Sequence, residues 1–302
     1  MSDNSSSHNR PRVWLITGCT SGFGKLFVSA IVARGDKVIA TARNVSALDE
    51  FRDTPNVRLL NLDVTATQDE LNATAATALE LFGGVDVLVN NAGYVLSGAW
   101  EELTHEQVLH QFQTNFFGQM NVTRVFVPHM RCRGSGTIIF MSSIAGWLGV
   151  AAGGPYSASK FALEGAAESL QKELSPLGIQ VHLAVLGQFR TNILAEGRRQ
   201  IPRSTPVIDG YNPVIETLTR RQEETNGKQP GDPVRAVERI LDVVRREGSV
   251  AGKEVGLRIV LGSDAQYIIR DQCLNTLRDL DQFEEFSRST DFPGAGGVDA
   301  YS

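Results

Sequence analysis

The sequence predicts a doubly wound α/β fold, in which seven parallel strands form one sheet and helices cover both faces in a three-layer α/β/α domain. Short β-rich runs alternate with helix-length segments from Arg12 onwards, and parallel strands require crossover connections of that length. The 302 residues are 42% hydrophobic and 21% charged, which is within the range of ordinary globular domains. No break in the alternation suggests a second hydrophobic core, so we expect a single domain.

Seven runs rich in Val, Ile and Leu are the predicted strands. Continuous apolar runs of this length are typical of strands buried on both faces, as in parallel sheets. They cover residues 13–17, 37–42, 57–62, 85–89, 137–141, 179–185 and 257–261.

The predicted helices lie between these strands. Two of them begin at capping boxes, in which a Thr side chain and a Glu or Gln three residues later satisfy backbone N–H groups at the helix start. The two pairs are Thr67 with Glu70 and Thr104 with Gln107. The helices extend from a glycine-rich turn to about residue 34 and over about 67–82, 104–131 and 156–174.

Three segments fall outside this alternation. Residues 1–12 are rich in Ser and Asn, and residues 286–302 have little apolar content. We predict that they are a disordered N-terminus and a flexible C-terminal tail, on either side of one domain over 13–285. Residues 187–232 are long, polar and Arg-rich. They follow a strand at the sheet edge where α/β proteins bind ligands, so they are predicted to form a substrate-covering loop with short helices.

The charge composition and the cysteines argue against several classes of partner. Lys and Arg number 29 against 34 Asp and Glu, and the resulting net charge of −5 does not favour nucleic acid. No apolar run approaches the ~20 residues of a membrane span, and no signal-peptide core precedes the first strand. Three cysteines, without metal-ligand spacing to one another or to the histidines, predict a cytoplasmic protein with no metal site.

A glycine-rich turn between the first strand and the first helix has the pattern Gly-x-x-x-Gly-x-Gly. Glycines allow a close approach of the backbone to a pyrophosphate, and the following helix N-terminus offers free N–H groups and a positive dipole end. A purely structural turn is the alternative. We predict a nucleotide site, with contacts from Gly18, Thr20, Ser21, Gly22, Phe23 and Gly24.

Tyr156 and Lys160 lie four positions apart on a predicted helix, so both side chains project from the same face. A phenol is a poor base at neutral pH, but a nearby ammonium is expected to stabilise the phenolate and lower the pKa of Tyr156. Tyr156 is then suited to exchange a proton with a carbonyl or alcohol oxygen. The alternative is an ordinary exposed Tyr–Lys pair on a helix surface.

The glycine spacing, the run Asn90-Asn91-Ala92-Gly93 and the run Tyr156-Ser157-Ala158-Ser159-Lys160 together resemble the short-chain dehydrogenase/reductase family. The resemblance covers about Val13 to Thr191 and is looser up to Gly262. It implies a Rossmann-type domain, a small-molecule carbonyl or alcohol substrate, and a homodimer or homotetramer. Stretches around Tyr94 and Arg190 look similar to the hydroxysteroid and retinol branch, which also contains microbial secondary-metabolite ketoreductases.

The resemblance implies two further polar groups at the reaction centre. Ser143 follows the fifth strand and can donate a hydrogen bond to a substrate oxygen; its neighbour Ser142 is the alternative, and the family spacing to Tyr156 favours Ser143. Asn115 lies within a predicted helix, where Asn is a poor helix former. In the family the matching Asn holds a water that connects the Lys to solvent. The alternative is a buried Asn that bonds a neighbouring carbonyl.

The residues at the end of the second strand bear on the choice between NAD and NADP. An acidic residue there binds the ribose of NAD, whereas a basic residue accommodates the extra phosphate of NADP. The chain has Arg43 there and no carboxylate before Asp49, so NADP(H) is favoured over NAD(H). A solvated surface arginine is the alternative.

The remaining cofactor contacts follow from the resemblance. They would be made on the adenosine side by Asp63, Val64, Asn91, Ala92 and Gly93, and on the nicotinamide side by Gly187, Phe189 and Thr191, with Tyr156 and Lys160 at the ribose and ring. One departure is Leu186, which stands where the family usually has Pro. Without Pro the loop gains an N–H and a free φ angle, so its shape is less constrained.

These observations predict an NADPH-dependent reductase that interconverts a ketone and a secondary alcohol. Tyr156 is the acid and base, Lys160 tunes it, Ser143 orients the carbonyl and Asn115 supports the proton path. An apolar or polycyclic substrate is favoured, because several apolar residues are expected near the pocket; the alternative is that they belong to the hydrophobic core. These residues are Val95, Leu96, Trp100, Trp147, Leu148 and Val150. The alternatives are a non-redox cyclase, isomerase or nucleotide sensor that uses the same pocket, and a scaffold protein.

Overall fold

The computed structural model describes residues 10–194, 199–200 and 208–293. The predicted disorder of residues 1–9 and most of the predicted tail therefore lie outside the described residues, as do positions 195–198 and 201–207 of the predicted substrate loop. Arg10, within the predicted N-terminal segment, hydrogen-bonds the carboxylate of Asp86. No helix among the described residues is long and apolar enough to span a membrane.

Seven of the described strands form one parallel sheet, which confirms the predicted doubly wound fold. The strands are β1 (Val13–Ile16), β2 (Lys37–Ala42), β3 (Val57–Asn61), β4 (Val87–Asn90), β5 (Val95–Leu96), β6 (Gly136–Met141), β7 (Ile179–Leu186), β8 (Arg199–Gln200) and β9 (Arg258–Leu261). The sheet order is β3-β2-β1-β4-β6-β7-β9, and β5 pairs separately with β8. The order in which strands are added to the sheet reverses between β1 and β4, which is the point where such folds bind ligands.

The helices pack on the two faces of this sheet. They are α1 (Gly22–Ala33), α2 (Gln68–Phe82), α3 (His105–Phe112), α4 (Gln119–Arg133), α5 (Gly154–Leu174), α6 (Asn212–Thr225), α7 (Pro233–Arg245), α8 (Ser263–Gln282) and α9 (Glu284–Arg288). Both predicted capping boxes are present, at the starts of α2 and α3.

Alternation along the strands creates the three layers. In β1, Leu15 belongs to a core shared with α4 and α5, whereas Trp14 and Ile16 belong to a core shared with α1 and α7. All three side chains are fully buried. Successive residues of a strand point to opposite faces, so one short apolar run supports both helical layers.

The structure differs from the sequence-based prediction in several places. The predicted helix over 104–131 is divided into α3 and α4 by a π-helical turn, Gln113–Gly118. The strands β5 and β8 were not predicted, and neither was α8. Most of α8 beyond its first two turns is exposed, including Leu274, Leu277 and Leu280. The predicted start of the tail, at residue 286, falls inside α9.

Candidate active site

The glycine-rich turn joins β1 to α1 at the point where the sheet order reverses. Gly18 and Gly22 have φ angles of +73° and +53°, which side-chain-bearing residues rarely adopt. A Cβ at Gly24 would overlap the carbonyl oxygen of Gly18 and lie 2.7 Å from Nδ2 of Asn91. The predicted glycines are therefore required by the backbone itself.

Two side chains fix this turn from the neighbouring strand ends. Asn91 donates from Nδ2 to the carbonyl oxygens of Thr17 (2.8 Å) and Gly18 (3.1 Å). The hydroxyl oxygen of Thr17 accepts hydrogen bonds from the backbone N–H groups of Asn91 and Ala92, both at 2.9 Å. Asn91 thus supports the turn through its side chain, and Thr17 is a structural contributor that sequence reasoning did not single out.

The residues of the turn fit a pyrophosphate group. Ser21 is the N-cap of α1 but its side chain forms no capping hydrogen bond, so the first-turn N–H groups are available to an anion. Thr20, Ser21 and Gly22 are partly exposed. Cys19, by contrast, is fully buried, and burial raises the pKa of its thiol to about 12. Cys19 therefore fills space and is not a reactive group.

The predicted adenosine side presents Arg43 and Asp63 at the ends of β2 and β3. The Arg43 side chain is exposed and forms no ion pair with any described residue. Asp63 is also exposed, but its Oδ1 accepts hydrogen bonds from the N–H (2.9 Å) and the hydroxyl (2.7 Å) of Thr65. Val64 is buried. The Asp63 carboxylate therefore shapes its own turn while Arg43 is free for a ligand.

The predicted nicotinamide side follows β7 and is held by two other segments. Gly231 donates its backbone N–H to the carbonyl of Gln188 (3.0 Å) and accepts from the N–H of Arg190 (3.0 Å). Phe189 is buried and packs edge-on against Phe23, with ring centroids 5.5 Å apart. These contacts bring the predicted residues Phe23 and Phe189 together beside the glycine-rich turn.

Asp264, at the start of α8, constrains the loop at the position where Pro is absent. Its Oδ2 accepts a hydrogen bond of 2.7 Å from the backbone N–H of Gln188. A Cβ at Gly187 would overlap the Asp264 carboxylate, so glycine is needed for this contact. Thr191, at the far end of the loop, lies close to Gly22. Sequence reasoning did not identify Asp264.

Tyr156 and Ser143 meet at the carboxyl end of β6. Tyr156 lies in the first turn of α5, and Ser143 follows β6 and hydrogen-bonds the Tyr156 side chain. Burial raises the pKa of Tyr156 above its ordinary value, and the hydrogen bond from Ser143 opposes this only in part. The expectation of a lowered pKa from Lys160 is therefore wrong for the protein without ligands, because loss of hydration outweighs the other effects.

Lys160 lies one helical turn after Tyr156 and is 5% exposed. Its Nζ donates a hydrogen bond of 2.6 Å to the carbonyl of Met141 and lies 5.8 Å from the centre of the Tyr156 ring. Burial lowers the pKa of Lys160 to about 8, while the carboxylate of Glu164 acts in the opposite direction. The amine is therefore a charged group near neutral pH in a poorly hydrated position.

Asn115 lies in the π-helical turn and is fully buried. Its Oδ1 accepts from the N–H of Tyr94 (3.1 Å), and its Nδ2 donates to the carbonyl of Tyr94 (3.0 Å). Single π-helical turns inside α-helices occur frequently at functional sites. The side chain links this turn to the loop after β4, which is the bonded-Asn alternative that sequence analysis left open.

The residues expected near the substrate pocket separate into two groups. Val95 and Leu96 are buried, and Trp147 packs against the core and lies under the guanidinium of Arg258. Trp100 is 57% exposed and lies against Gly154, the first residue of α5, where a Cβ would overlap its indole. Leu148 and Val150 are partly exposed. Trp100 is thus an exposed apolar surface beside Gly154, which precedes Tyr156 by two residues in the chain.

Comparison with known proteins agrees with this geometry. A family model described as short chain dehydrogenase matches residues 12–202. The chain is 38% identical over 223 residues to a 3-ketodihydrosphingosine reductase of Bacteroides thetaiotaomicron, which covers 73% of this chain and 80% of that protein. It is 32% identical over 251 residues to retinol dehydrogenase 8 of Homo sapiens, with 78% and 79% covered.

Solved structures show the same fold. A short-chain dehydrogenase from Streptomyces avermitilis matches with a TM-score of 0.83 and 36% identity, over 94% of this chain and 99% of that one. Two more distant structures, from Burkholderia cenocepacia with NADP and from Burkholderia phymatum with NAD, match with TM-scores of 0.68 and 0.73 at 21% and 23% identity. They cover 90% and 96% of this chain and 97% and 99% of their own.

Proposed function

Because the chain belongs to the short-chain dehydrogenase family of oxidoreductases, we propose that it reduces a ketone to a secondary alcohol with NADPH. The observation that carries this proposal is the convergence of Ser143, Tyr156 and Lys160 at the end of β6. The glycine-rich turn lies two strands away in the sheet, beyond β4. A proton donor and a nucleotide-binding turn thus share one edge of the sheet.

Tyr156 is the proton donor in this proposal. Its raised pKa keeps the phenol protonated at neutral pH, which is the state that reduction requires because the carbonyl oxygen must gain a proton. Ser143 supplies a second hydroxyl beside the phenol and stabilises negative charge that develops on the carbonyl oxygen. In the reverse direction Tyr156 would accept a proton from the alcohol, so it would first have to be deprotonated.

Lys160 provides the positive charge that eases transfer of the phenolic proton. The Nζ atom is held by the carbonyl of Met141, so the charge stays near the Tyr156 ring rather than moving into solvent. A nearby cation stabilises a phenolate as it forms. Through the family resemblance, the same amine would also hold a ribose hydroxyl of the cofactor.

The cofactor would be held by the glycine-rich turn, by the loop Gly187–Thr191 and by Arg43. When bound, NADPH supplies the hydride that reduces the carbonyl carbon. Arg43 is exposed and without an acidic partner among the described residues, which suits it to a phosphate on the adenosine ribose. No carboxylate occupies the corresponding position, so NADPH is preferred over NADH in this proposal.

An apolar or polycyclic small molecule is the proposed substrate. Trp100 offers an exposed apolar face beside the first turn of α5, with Leu148 and Val150 in the loop before that helix. The names of two relatives, a 3-ketodihydrosphingosine reductase and a retinol dehydrogenase, indicate apolar substrates and support this assignment. Association into a homodimer or homotetramer, in the cytoplasm, is part of the same proposal.

The test is NADPH consumption with a panel of apolar and polycyclic ketones, comparing the wild-type protein with Tyr156→Phe. We expect Tyr156→Phe to lose at least about a hundredfold in turnover, since it removes the proton donor. Tyr211→Phe is the matched control, because Tyr211 is solvent-facing and its hydroxyl donates to Glu101 (2.8 Å). A conversion of substrate that survives Tyr156→Phe would instead favour a non-redox cyclase or isomerase.

A further inference from the structure

Glu164 is a buried carboxylate that the site described above does not use. It lies on α5 one turn after Lys160 and is 5% exposed. Tyr156, Lys160 and Glu164 follow one another at intervals of four residues, so they form a single row along the helix. Ionised carboxylates are rarely buried unless other groups satisfy their oxygens.

Both oxygens of Glu164 have partners. The hydroxyl of Ser142 donates to Oε1 (2.6 Å), and Nε of Arg258 donates to Oε2 (2.8 Å). The side chain also packs against Gly146, where a Cβ would lie 3.0 Å from Cγ of Glu164. The position of the carboxylate is therefore fixed by contacts from β9, from the end of β6 and from the turn that follows it.

The row of side chains on α5 holds three consecutive residues at the end of β6. Lys160 bonds the carbonyl of Met141, Glu164 bonds the hydroxyl of Ser142, and Tyr156 bonds Ser143. Each contact joins one turn of the helix to one residue of the strand end. A change at Glu164 thus affects the same short segment that carries Ser143.

We propose that Glu164 is a positioning residue of the reaction centre, which supplies the negative charge beside Lys160 and fixes the strand end that carries Ser143. This inference rests on the proposed function, in which Lys160 must be cationic. Because Lys160 is buried, it loses the hydration that would stabilise its charge. The carboxylate of Glu164 compensates part of that loss and raises the pKa of Lys160.

Other charged groups are placed so that their effects can be separated from that of Glu164. Arg258 of β9 lies on the far side of Glu164, and its Nη2 also donates to Glu168 (2.9 Å), one turn further along α5. β6 and the π-helical turn contain no ionisable residues. The remaining ionisable groups on elements packed against α5 near this row are His182 of β7, whose Nδ1 lies 3.0 Å from the carbonyl of Gly256, and His105, Glu106 and His110 of α3.

The ionisation of Lys160 can be followed without turnover by NMR of the full-length protein labelled with ¹³C at lysine Cε. The chain contains six lysines, at positions 25, 37, 160, 172, 228 and 253, and Lys160→Arg assigns the signal. In the wild type we expect this signal to titrate near pH 8. Glu164→Gln removes the negative charge, so the midpoint should fall by roughly 1 pH unit.

Arg258→Gln should shift the Lys160 midpoint in the opposite direction, and it provides a second test if Glu164→Gln fails to fold. Arg258 lies on an edge strand and its side chain is 31% exposed, so its replacement leaves the helix core intact. Without the guanidinium, Glu164 is less neutralised and the Lys160 midpoint should rise. Glu168→Gln is the matched control, because it breaks an Arg258 ion pair one turn further from Lys160. The Lys160 midpoint in this variant should equal that of the wild type.

The pH dependence of NADPH-driven reduction provides the second readout. The pH at which turnover declines on the alkaline side should be lower in Glu164→Gln and higher in Arg258→Gln. Removing a negative charge lowers the pKa of the Tyr156–Lys160 pair, and removing a positive charge raises it, whichever group loses the proton. Unchanged Lys160 midpoints in both variants would overturn the inference, even if both variants were less stable. If the wild-type protein reduced no ketone but the Lys160 midpoint still fell in Glu164→Gln and rose in Arg258→Gln, only the proposed function would be overturned.

Discussion

The amine of Lys160 donates a hydrogen bond of 2.6 Å to the backbone carbonyl of Met141, in a position where burial lowers its pKa to about 8. Below pH 8 the amine is charged in both the folded and the unfolded chain, and the folded chain bears the full cost of burying the charge. Above about pH 10.5 both forms are neutral and the cost disappears. The stability contributed by this position therefore increases between pH 8 and 10.5.

Lys160→Met should consequently stabilise the protein at pH 7. The pKa shift corresponds to roughly 3 kcal/mol, and the lost hydrogen bond offsets about 1 kcal/mol of that. Urea unfolding at pH 7 is expected to give a free energy of unfolding about 2 kcal/mol above that of the wild type, in a variant with greatly reduced turnover. A variant that is less stable at pH 7, with a deficit independent of pH, would contradict the cost of charge burial.

Asn115→Ala should destabilise the protein through Tyr94. The substitution leaves the N–H of Tyr94 without its partner, which costs about 1 to 3 kcal/mol, whereas the Tyr94 carbonyl loses one hydrogen bond but keeps another from Nε2 of Gln111 (3.0 Å). We expect the free energy of unfolding, measured in urea, to fall by about 2 kcal/mol. Asn121→Ala is the control, because Asn121 accepts only a local surface hydrogen bond from Arg124 (3.3 Å); an equal loss in both variants would show that the Tyr94 contacts contribute nothing.

Gly24→Ala should weaken NADPH binding by at least about tenfold. The added methyl group would overlap the carbonyl of Gly18 and crowd Asn91, so the turn must shift away from the pyrophosphate position. Fluorescence titration with NADPH measures the effect. Gly256→Ala adds the same methyl group where no atom lies within 4 Å, and its affinity should match the wild type; wild-type affinity in Gly24→Ala would refute the turn as the cofactor site.

Arg43→Ala should distinguish between the two nicotinamide cofactors. A hydrogen-bonded contact with a charged phosphate contributes about 1.5 to 3 kcal/mol, so the Kd for NADPH should rise about 10- to 100-fold while the Kd for NADH stays the same. Arg52→Ala is the control, since Arg52 is exposed nearby but is paired with Asp49. Equal weakening of NADPH and NADH would argue against a phosphate contact at Arg43.

Asp264→Ala should loosen the loop after β7. The variant frees the N–H of Gln188 and leaves space beside Gly187, so ordering the loop around the cofactor becomes more costly. We expect the KM for NADPH to rise by roughly three- to tenfold. Asp271→Ala serves as the control, because Asp271 of the same helix bonds only Asn275 (3.1 Å) at the surface. If the two variants gave the same KM, Asp264 would have no role in the loop.

The fold was predictable because its signals are local. The apolar run at 37–42 and the pairs Thr67–Glu70 and Thr104–Gln107 specify strands and helix starts within a few residues of themselves. The strands β5 and β8 contain two residues each and exist only because distant segments meet. The π-helical turn likewise contains a residue, Asn115, that contacts the distant Tyr94, and no periodicity in the helix itself reveals this contact.

The site was predictable where spacing places side chains on one face, as with Tyr156 and Lys160. The same spacing extends to Glu164 and could have identified it, because a carboxylate four residues after a buried lysine is on the same helical row. The pKa of Tyr156 was predicted in the wrong direction, since its burial depends on surrounding tertiary structure. Asp264 could not be predicted from the sequence, because two strands and two helices separate it from Gly187 in the chain and only the folded structure brings the two together.

In the proposed function, the contact between Trp100 and Gly154 couples the shape of the substrate entrance to the helical turn that carries Tyr156. Any enlargement at position 154 displaces the indole, and any repacking of the indole presses on the turn that carries the phenol. Among relatives, positions 100 and 154 are therefore expected to vary together, a bulky residue at one accompanying a small residue at the other. Adaptation to new molecules at this entrance would then proceed by paired rather than single replacements.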